Sequence, residues 1–547
     1  VAADDPRAAR EPEDNRAESP DGLRRGRAAR AANALALAGL TVYAMAAPHS
    51  IAGAWIGLSF AVLGWLARGA LTRRLGLRRT PFDLPLWLLC GWTILSCLFS
   101  YEPTASIPKL VNVATFLVFY LAQGLLTVRR AITLSALMIV SGATGVLWGA
   151  VELVRGRGVI VRSLAPDSPL RGATPLTEGD AVWRVNGRRV SSAEEIDEAV
   201  RATPLGARLS LSVVSRGEHA EWSGPFVTEE IRGRASPTGI EGGGPTRRFR
   251  ASGWTRHYET FAETIQIAAQ LALGFALAFG RRRARRVRTE GETKTSGAAE
   301  TNSPETKGRD VEGGGDRLRL VLAAIACMVL VSGVALTAMR TAVVAFAVGA
   351  TLAAWRAATG GRARLLLIGL IAVALGLGAL AVWRTRAGGA LRLQDTSASL
   401  RFQVARAAAE RVPQHPFLGH GMDAAPRHWR EWGFPGDTPL HMHSTPVQLA
   451  FERGLPALFF WLWLMLTFWR EAARAERFWR DRSSAAMHGL VLGIAGALAG
   501  FLASSLVNYN FGDAEVALLL WWMMAATVVC SERGASNDER RALSDES

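Results

Sequence analysis

Two motifs are missing from the 547 residues: Asp-x-Asp occurs nowhere, and neither does His-Glu-x-x-His. The first absence weakens any chemistry built on a metal-bound nucleotide sugar, which needs hard carboxylate oxygens around a divalent ion. The second argues against an intramembrane metalloprotease, which needs two imidazoles one helical turn apart and a carboxylate base. Cysteine is scarce as well. Cys90, Cys97, Cys327 and Cys530 all lie in or beside apolar runs, without metal-ligand spacing, and read as small packing residues. No metal and no cofactor is therefore expected. The chain begins at Val1, which reads as a literally translated alternative start codon or as a trimmed chain.

What is abundant is apolar sequence. Hydrophobic residues make up 49% of the chain, and they come in windows of roughly 18 to 23, the length that crosses about 30 Å of hydrocarbon. Windows near 31–48, 49–67, 82–100, 108–127, 131–154, 258–280, 318–338, 341–356, 363–383, 456–469, 486–507 and 513–530 predict an all-α polytopic membrane protein of about twelve transmembrane helices. Ala44-Met45-Ala46 imitates a signal-peptide cleavage site, but the long preceding arm and the window that follows favour a retained helix.

The net charge of +16 would point a soluble protein towards nucleic acid; here the arginines fall in loops between apolar windows, and nucleic acid is not an expected partner. With a cytoplasmic N-terminus, the inside loops receive Arg68, Arg73, Arg74, Arg78 and Arg79, then Arg129 and Arg130, then Arg281 to Arg288, then Arg356, Arg362 and Arg364, then Arg470 to Arg482. The short outside loops 101–107 and 508–512 contain neither arginine nor lysine. Positive charge thus alternates with the spans and predicts a multi-pass membrane protein with both termini in the cytoplasm.

The expected organisation follows. Residues 1–30 form a disordered cytoplasmic arm, 31–154 helices one to five, 155–228 a periplasmic insert and 229–257 a periplasmic linker. Residues 258–280 form the sixth helix and 281–317 a disordered cytoplasmic linker. Helices seven to nine occupy 318–383, a catalytic periplasmic loop 384–455, helices ten to twelve 456–530 and a cytoplasmic tail 531–547.

The insert changes character completely. Gly158 to Leu170, Leu176 to Val190, Ala193 to Val200 and Arg208 to Gly217 read as strand, strand, helix, strand, with Asn186-Gly187 suited to a tight turn. With its Ser168-Pro169, Gly179-Asp180 and Val185-Asn186-Gly187 signatures this small α+β unit resembles a bacterial PDZ domain. Little chain precedes it for the first strand, which 221–227 could supply by permutation. The resemblance implies a docking module or spacer, or capture of a protein partner's peptide at a sheet edge.

Four polar stretches remain. They are Arg247 to Glu263 before the sixth span, Met339-Arg340-Thr341 between two spans, Arg392 to Asp423, and His441-Met-His-Ser-Thr-Pro-Val-Gln-Leu-Ala-Phe-Glu-Arg-Gly454 before the apolar run at 457–468. In this order, on a polytopic scaffold, they resemble the O-antigen ligase and O-antigen polymerase family of bacterial membrane glycosyltransferases. The resemblance implies Arg250, Arg340 and His443 as matching positions, with Met339 where a serine is common and Ser444 where an asparagine is common. It also implies a donor glycan carried on undecaprenyl diphosphate and an acceptor that is lipid A core or another glycan.

Departure of a diphosphate calls for preorganised cations, which Arg250, Arg340 and Arg453 would supply. A weakly nucleophilic acceptor hydroxyl calls for a base such as His443, with His441 and Arg401 as secondary groups. The expected reaction is inverting and metal-independent, with its site in the periplasm. Bland readings stand beside these. Arg340 would also serve as an interfacial anchor, Arg250 sits with Arg247, Arg248 and Arg256 in a cluster suited to anionic lipid, and Arg453 would cap a loop. His415, His420 and His428 read as loop polar groups; Trp429, Trp432, Trp461 and Trp463 read as interfacial residues or sugar platforms. The preferred reading is a ligase. A polymerase or protein O-oligosaccharyltransferase with the same donor is the alternative, and a non-enzymatic transporter is the rival of another class.

Overall fold

The computed structural model describes residues 20–215, 218–247, 249–255, 257–295, 304–358, 360–362, 364–365, 396–436, 441–482 and 484–531. Before the insert run α1 (Pro20–Ala46), α2 (Ile51–Thr72), α3 (Asp83–Phe99), a segment made of α4 (Pro103–Ser106), a 3-10 stretch (Ile107–Phe116) and α5 (Leu117–Leu125), then α6 (Val128–Arg155). After it come α9 (Tyr258–Thr295), α10 (Pro304–Leu336), α11 (Arg340–Ala357), α12 (Thr396–Arg411), α13 (Ala425–His428), α14 (Thr445–Arg480), α15 (Ala485–Ser505) and α16 (Ala514–Val529).

Among the described residues seven helices are long and apolar enough to cross a membrane, and Asp83–Phe99 and Ala514–Val529 are shorter apolar helices. Residues 31–46 and 341–356 are also helical, within α1 and α11. The expected span at 363–383 lies outside the described residues apart from 364–365.

Close packing of α9 against α15 organises the centre. A Cβ on Gly274 would come within 2.3 Å of the Gly493 backbone nitrogen, so only glycine lets these two backbones meet. In the same layer Gly349 and Gly496 make room for Gln270, whose Nε2 donates to the Phe346 carbonyl at 2.8 Å. Glu263, Gln266 and Gln270 thus form a buried polar stripe on α9 that composition did not reveal. Trp429 and Trp461 are buried as well, in place of the interfacial position expected for them.

Helices extend further than the sequence reading allowed. α9 continues to Thr295 and α10 starts at Pro304, inside the stretch expected as a linker, because the arginine run after Gly280 consists of good helix formers. α1 likewise begins at Pro20, inside the arm expected to be disordered. α14 begins at Thr445, well before Pro456, and bends at Gly454, where φ is 81°.

The insert is a six-stranded sheet with helices α7 (Ala193–Arg201) and α8 (Glu229–Gly233). Its strands are β1 (Val159–Leu164), β2 (Ala181–Val185), β3 (Arg188–Arg189), β4 (Arg208–Ser215), β5 (Glu218–Phe226) and β6 (Ile240–Gly242), ordered β5-β4-β2-β1-β6 with β3 paired to β2. Asn186 and Gly187 make the expected turn with φ of 48° and 80°. β5 pairs antiparallel with β4, in the stretch read as a permuted strand.

The unit does not stop at 228. Ile231 and Ile240 are buried in its core with Val161, Val182, Ile196 and Leu211, so the segment expected as a linker is drawn in by its own apolar residues. Arg157, bonded to Glu152 at the end of α6, lies 4.6 Å from both the Trp183 and Phe249 rings and ties insert to helix.

Candidate functional site

One cavity of about 440 Å³ lies where the first turns of α9 and α11, the middle of α12, the residues before α14 and those after α15 come together. Arg250, Tyr258, Glu259, Arg340, Arg401 and His443 line it. Four of the six candidate residues therefore meet, although nearly two hundred positions separate the first from the last.

Each is held differently. Arg250 precedes α9, its guanidinium carbon 4.5 Å from the Tyr258 ring, and the next residue donates its backbone N–H to the Leu336 carbonyl at the end of α10 at 3.1 Å. Arg340 is the first residue of α11, set there by a turn whose Ala338 has φ of 51°. Arg401, on α12, pairs with Glu259 at 2.8 Å, and Tyr258 donates its hydroxyl to the same carboxylate at 3.2 Å. Sequence reasoning quoted Tyr258 and Glu259 without assigning them a role; a carboxylate opening an apolar span was the signal that marked it.

His443 is fixed by the chain on both sides. Met442 is fully buried and its N–H donates to Gln448 Oε1 at 2.7 Å. Thr445 donates from both its N–H and its hydroxyl to the Asn508 carbonyl, each at 3.1 Å, and from the hydroxyl to Asn510 Oδ1 at 3.1 Å. Between these anchors His443 adopts φ of 49°, the left-handed region that non-glycine residues occupy sparingly and often at functional sites.

Its Nε2 is buried with no hydrogen-bond partner among the described residues. Burial, with the Arg401 guanidinium adding to it, lowers the imidazole to about 4 in spite of the nearby Glu259 carboxylate. At neutral pH the ring is uncharged and has a lone pair to offer.

The remaining candidates lie apart. Arg453 is buried beside a second, smaller cavity lined by Cys90, Thr93, Asn112 and Tyr509, and its Nη2 donates to the Tyr509 hydroxyl at 3.3 Å. The His441 ring sits 5.5 Å from the Tyr509 ring. Helix α14 is the reason. It starts directly after Ser444, so the eight steps from Thr445 to Arg453 advance by roughly 12 Å. His415, His420 and His428 gather around Tyr101 and Trp432, with the His420 ring stacked on Phe451 at 4.3 Å.

Among the described residues the cavity with His443 is lined by three arginines and one carboxylate. Two helix N-termini open onto it and add partial positive charge. Guanidinium groups offer forked donors to phosphate oxygens, and the uncharged imidazole can accept a proton. Among the described residues no group of three or more His, Cys, Asp or Glu side chains is placed to hold a metal ion.

Residues 323–462 match the family model described as O-Antigen ligase. The matched stretch contains Arg340, Arg401 and His443 from the cavity and also Arg453, while Arg250 and Glu259 lie ahead of it. Over 100 residues the chain is 30% identical to the magnetosome formation protease MamE of Magnetospirillum gryphiswaldense. That similarity covers 17% of this chain and 13% of that protein.

Proposed function

We propose that this chain is a membrane glycosyltransferase that moves a glycan from a lipid diphosphate, with undecaprenyl diphosphate as the carrier, to an acceptor hydroxyl, and that it acts as an O-antigen ligase with lipid A core as acceptor. The observation that carries the reading is the convergence of three arginines and a neutral, unpartnered imidazole in one cavity at the helix ends. The family match over 323–462 and the seven apolar helices support it.

In the proposed step the acceptor oxygen attacks the anomeric carbon and its proton passes to His443 Nε2. The bond from that carbon to the diphosphate oxygen breaks, and the electron pair leaves with the diphosphate, which Arg250, Arg340 and Arg401 stabilise as charge develops. A diphosphate diester carries two negative charges, which guanidinium groups in the cavity attract. One displacement inverts the anomeric carbon, and no metal is needed because guanidinium groups supply the positive charge. Arg453 and His441 belong to the wall that anchors α14 and act from a distance.

The site faces the periplasm, and the insert is a PDZ-like module on that side. A polymerase or a protein O-oligosaccharyltransferase would use the same donor chemistry. Transport is disfavoured, since the polar stripe of α9 is packed into glycine notches of α11 and α15.

The test is a transfer assay with purified protein, an undecaprenyl-diphosphate glycan, and separate lipid A core and lipid-linked repeat acceptors, without added metal. Transfer to lipid A core, lost in His443→Ala with folding intact, is the expected result. Transfer to the repeat unit alone would make the chain a polymerase; transfer to neither would overturn the reading.

A further inference from the structure

The outer edge of β1 would be an open row of backbone donors and acceptors, the kind of edge onto which an extended segment adds as a further strand. In this molecule the chain itself fills it. Residues 239–246 run antiparallel along β1: Ala165 donates to the Gly239 carbonyl at 2.8 Å, Gly243 to Ile160 at 2.6 Å, and Arg157 and Thr246 exchange bonds at 2.8 and 3.1 Å. α7 forms the other wall. Its Asp197 accepts from the Thr238 N–H at 3.0 Å, the Thr238 hydroxyl at 2.6 Å and the Ser236 hydroxyl at 2.8 Å. Gly242 fits between the walls so closely that a Cβ there would lie 2.7 Å from Val159 Cγ1 and 3.0 Å from Ala193 Cβ.

This filled edge leads straight into the cavity. Four residues beyond Thr246, just after Phe249, which shares an apolar cluster with Trp183, the chain reaches Arg250. The arginine is thus held from two sides, on the insert by the strand and by Phe249 in its cluster with Trp183, and on the helices by the Ala251 N–H bonded to the Leu336 carbonyl.

We infer that residues 236–246 are a built-in ligand of the insert's sheet edge, and that this clamp sets the position of Arg250 in the cavity. The insert is then a positioning device whose β1 edge is closed to peptides from other proteins. Arg250's part in binding a lipid diphosphate rests on the function proposed above; the docking of the segment does not.

Two experiments test it. Gly242→Val, which expels the segment, lowers affinity for an undecaprenyl diphosphate by about 10- to 100-fold, the cost of misplacing a binding group by an ångström or so. Arg250→Ala does the same, and the double variant is no weaker than Arg250→Ala alone, because both changes act through one side chain. Undiminished affinity in Gly242→Val, or losses that add, would overturn the inference. Asp197→Asn, which keeps the shape of the clamp, loses less than Asp197→Ala; equal effects would count against the clamp. Amide exchange at β2 and β4 shows whether each variant keeps its folded insert.

The second experiment pairs Ser163→Cys with Glu241→Cys, which stand opposite each other in the β1–β6 register at cross-strand disulfide reach. Oxidised protein forms the bridge and binds the lipid diphosphate as well as reduced protein does. Absence of the bridge, or binding lost on oxidation and recovered with reductant, would show that the segment leaves the groove and would overturn a fixed clamp. If wild-type protein binds no lipid diphosphate, the transfer reading fails. Bridge yield and exchange at Gly243 and Thr246 then decide the clamp alone: slow exchange supports it, and fast exchange overturns it.

Discussion

His443 combines a left-handed backbone, a buried unpartnered Nε2 and a proton affinity far below that of a free imidazole. Replacing it by Ala is expected to cost about 10²- to 10⁴-fold in turnover, the usual contribution of a general base, and a transfer assay on folded variant measures it. Since burial and Arg401 lower the ring to about 4, the acid limb of kcat/KM should fall near that pH, below the ~6.5 of a free imidazole. Arg401→Gln removes one of the depressing charges, so the limb should move to higher pH; a limb that stays put would detach Arg401 from His443. The same shift has a sign for stability. Between about 6.5 and about 4 the unfolded imidazole binds more protons than the folded one, so stability rises with pH across that window and is lost as pH falls. Thermal unfolding should show a shallower dependence there in His443→Gln. Arg250, Arg340 and His443 were named from the family resemblance that the ordered polar stretches carry, and the fold brings the three to one cavity, although Arg250 sits in a run of arginines and His443 close to His441. Arg453 lies apart from that cavity because a string of residues does not show where a helix starts, and a turn or two of helix decides whether two side chains meet; Glu259 was passed over although its place at the head of an apolar span marked it.

At the scale of elements, the bend in α14 carries the same lesson. Thr445–Arg453 forms the turns that lead away from the site at Ser444 and Leu455–Arg480 the longer part of the helix, and Gly454 joins them with φ of 81°. A Cβ at Gly454 would lie 1.8 Å from the Phe417 carbonyl oxygen, so Gly454→Ala combines backbone strain with a clash against main chain. The strain alone amounts to about 1–3 kcal/mol, and the variant should unfold at lower temperature and lose transfer as Thr445 shifts. Unchanged melting would mean that the 416–418 segment yields freely. Glycine followed by proline at 456 marked the bend in the sequence, but the helical turns before it contain Thr445, Pro446 and Val447, which read as readily as loop. The insert was legible as strands and helix through alternating apolar residues and the Asn186-Gly187 turn. Its closing strand was not, since Ile240-Glu241-Gly242 has one apolar residue and three successive glycines follow Glu241, a composition that spells linker until β1 supplies the partner.

For the whole molecule the decisive question is which end faces which side. Arg281 and Arg285 of α9 share Asp481 at 3.2 and 2.7 Å, and Arg356 of α11 meets Glu476 of α14 at 3.5 Å, so the basic ends of three helices converge. The cavity with His443 lies at the opposite ends of the same helices, with the insert on its side. Short loops rich in arginine tend to stay in the cytoplasm, and on that rule the cavity and the insert are expected in the periplasm. The prediction is checked with single cysteines on each face. Glu230→Cys, on the exposed surface of α8, should react with a membrane-impermeant maleimide in cells whose inner membrane is intact. Arg288→Cys, on the exposed lower end of α9, should react only after that membrane is opened. The four native cysteines are buried or half-buried and set the background. The reverse pattern would turn the molecule over and put the proposed transfer on the cytoplasmic side. Labelling of both sites in intact cells would mean that the helices between them do not form a continuous membrane layer.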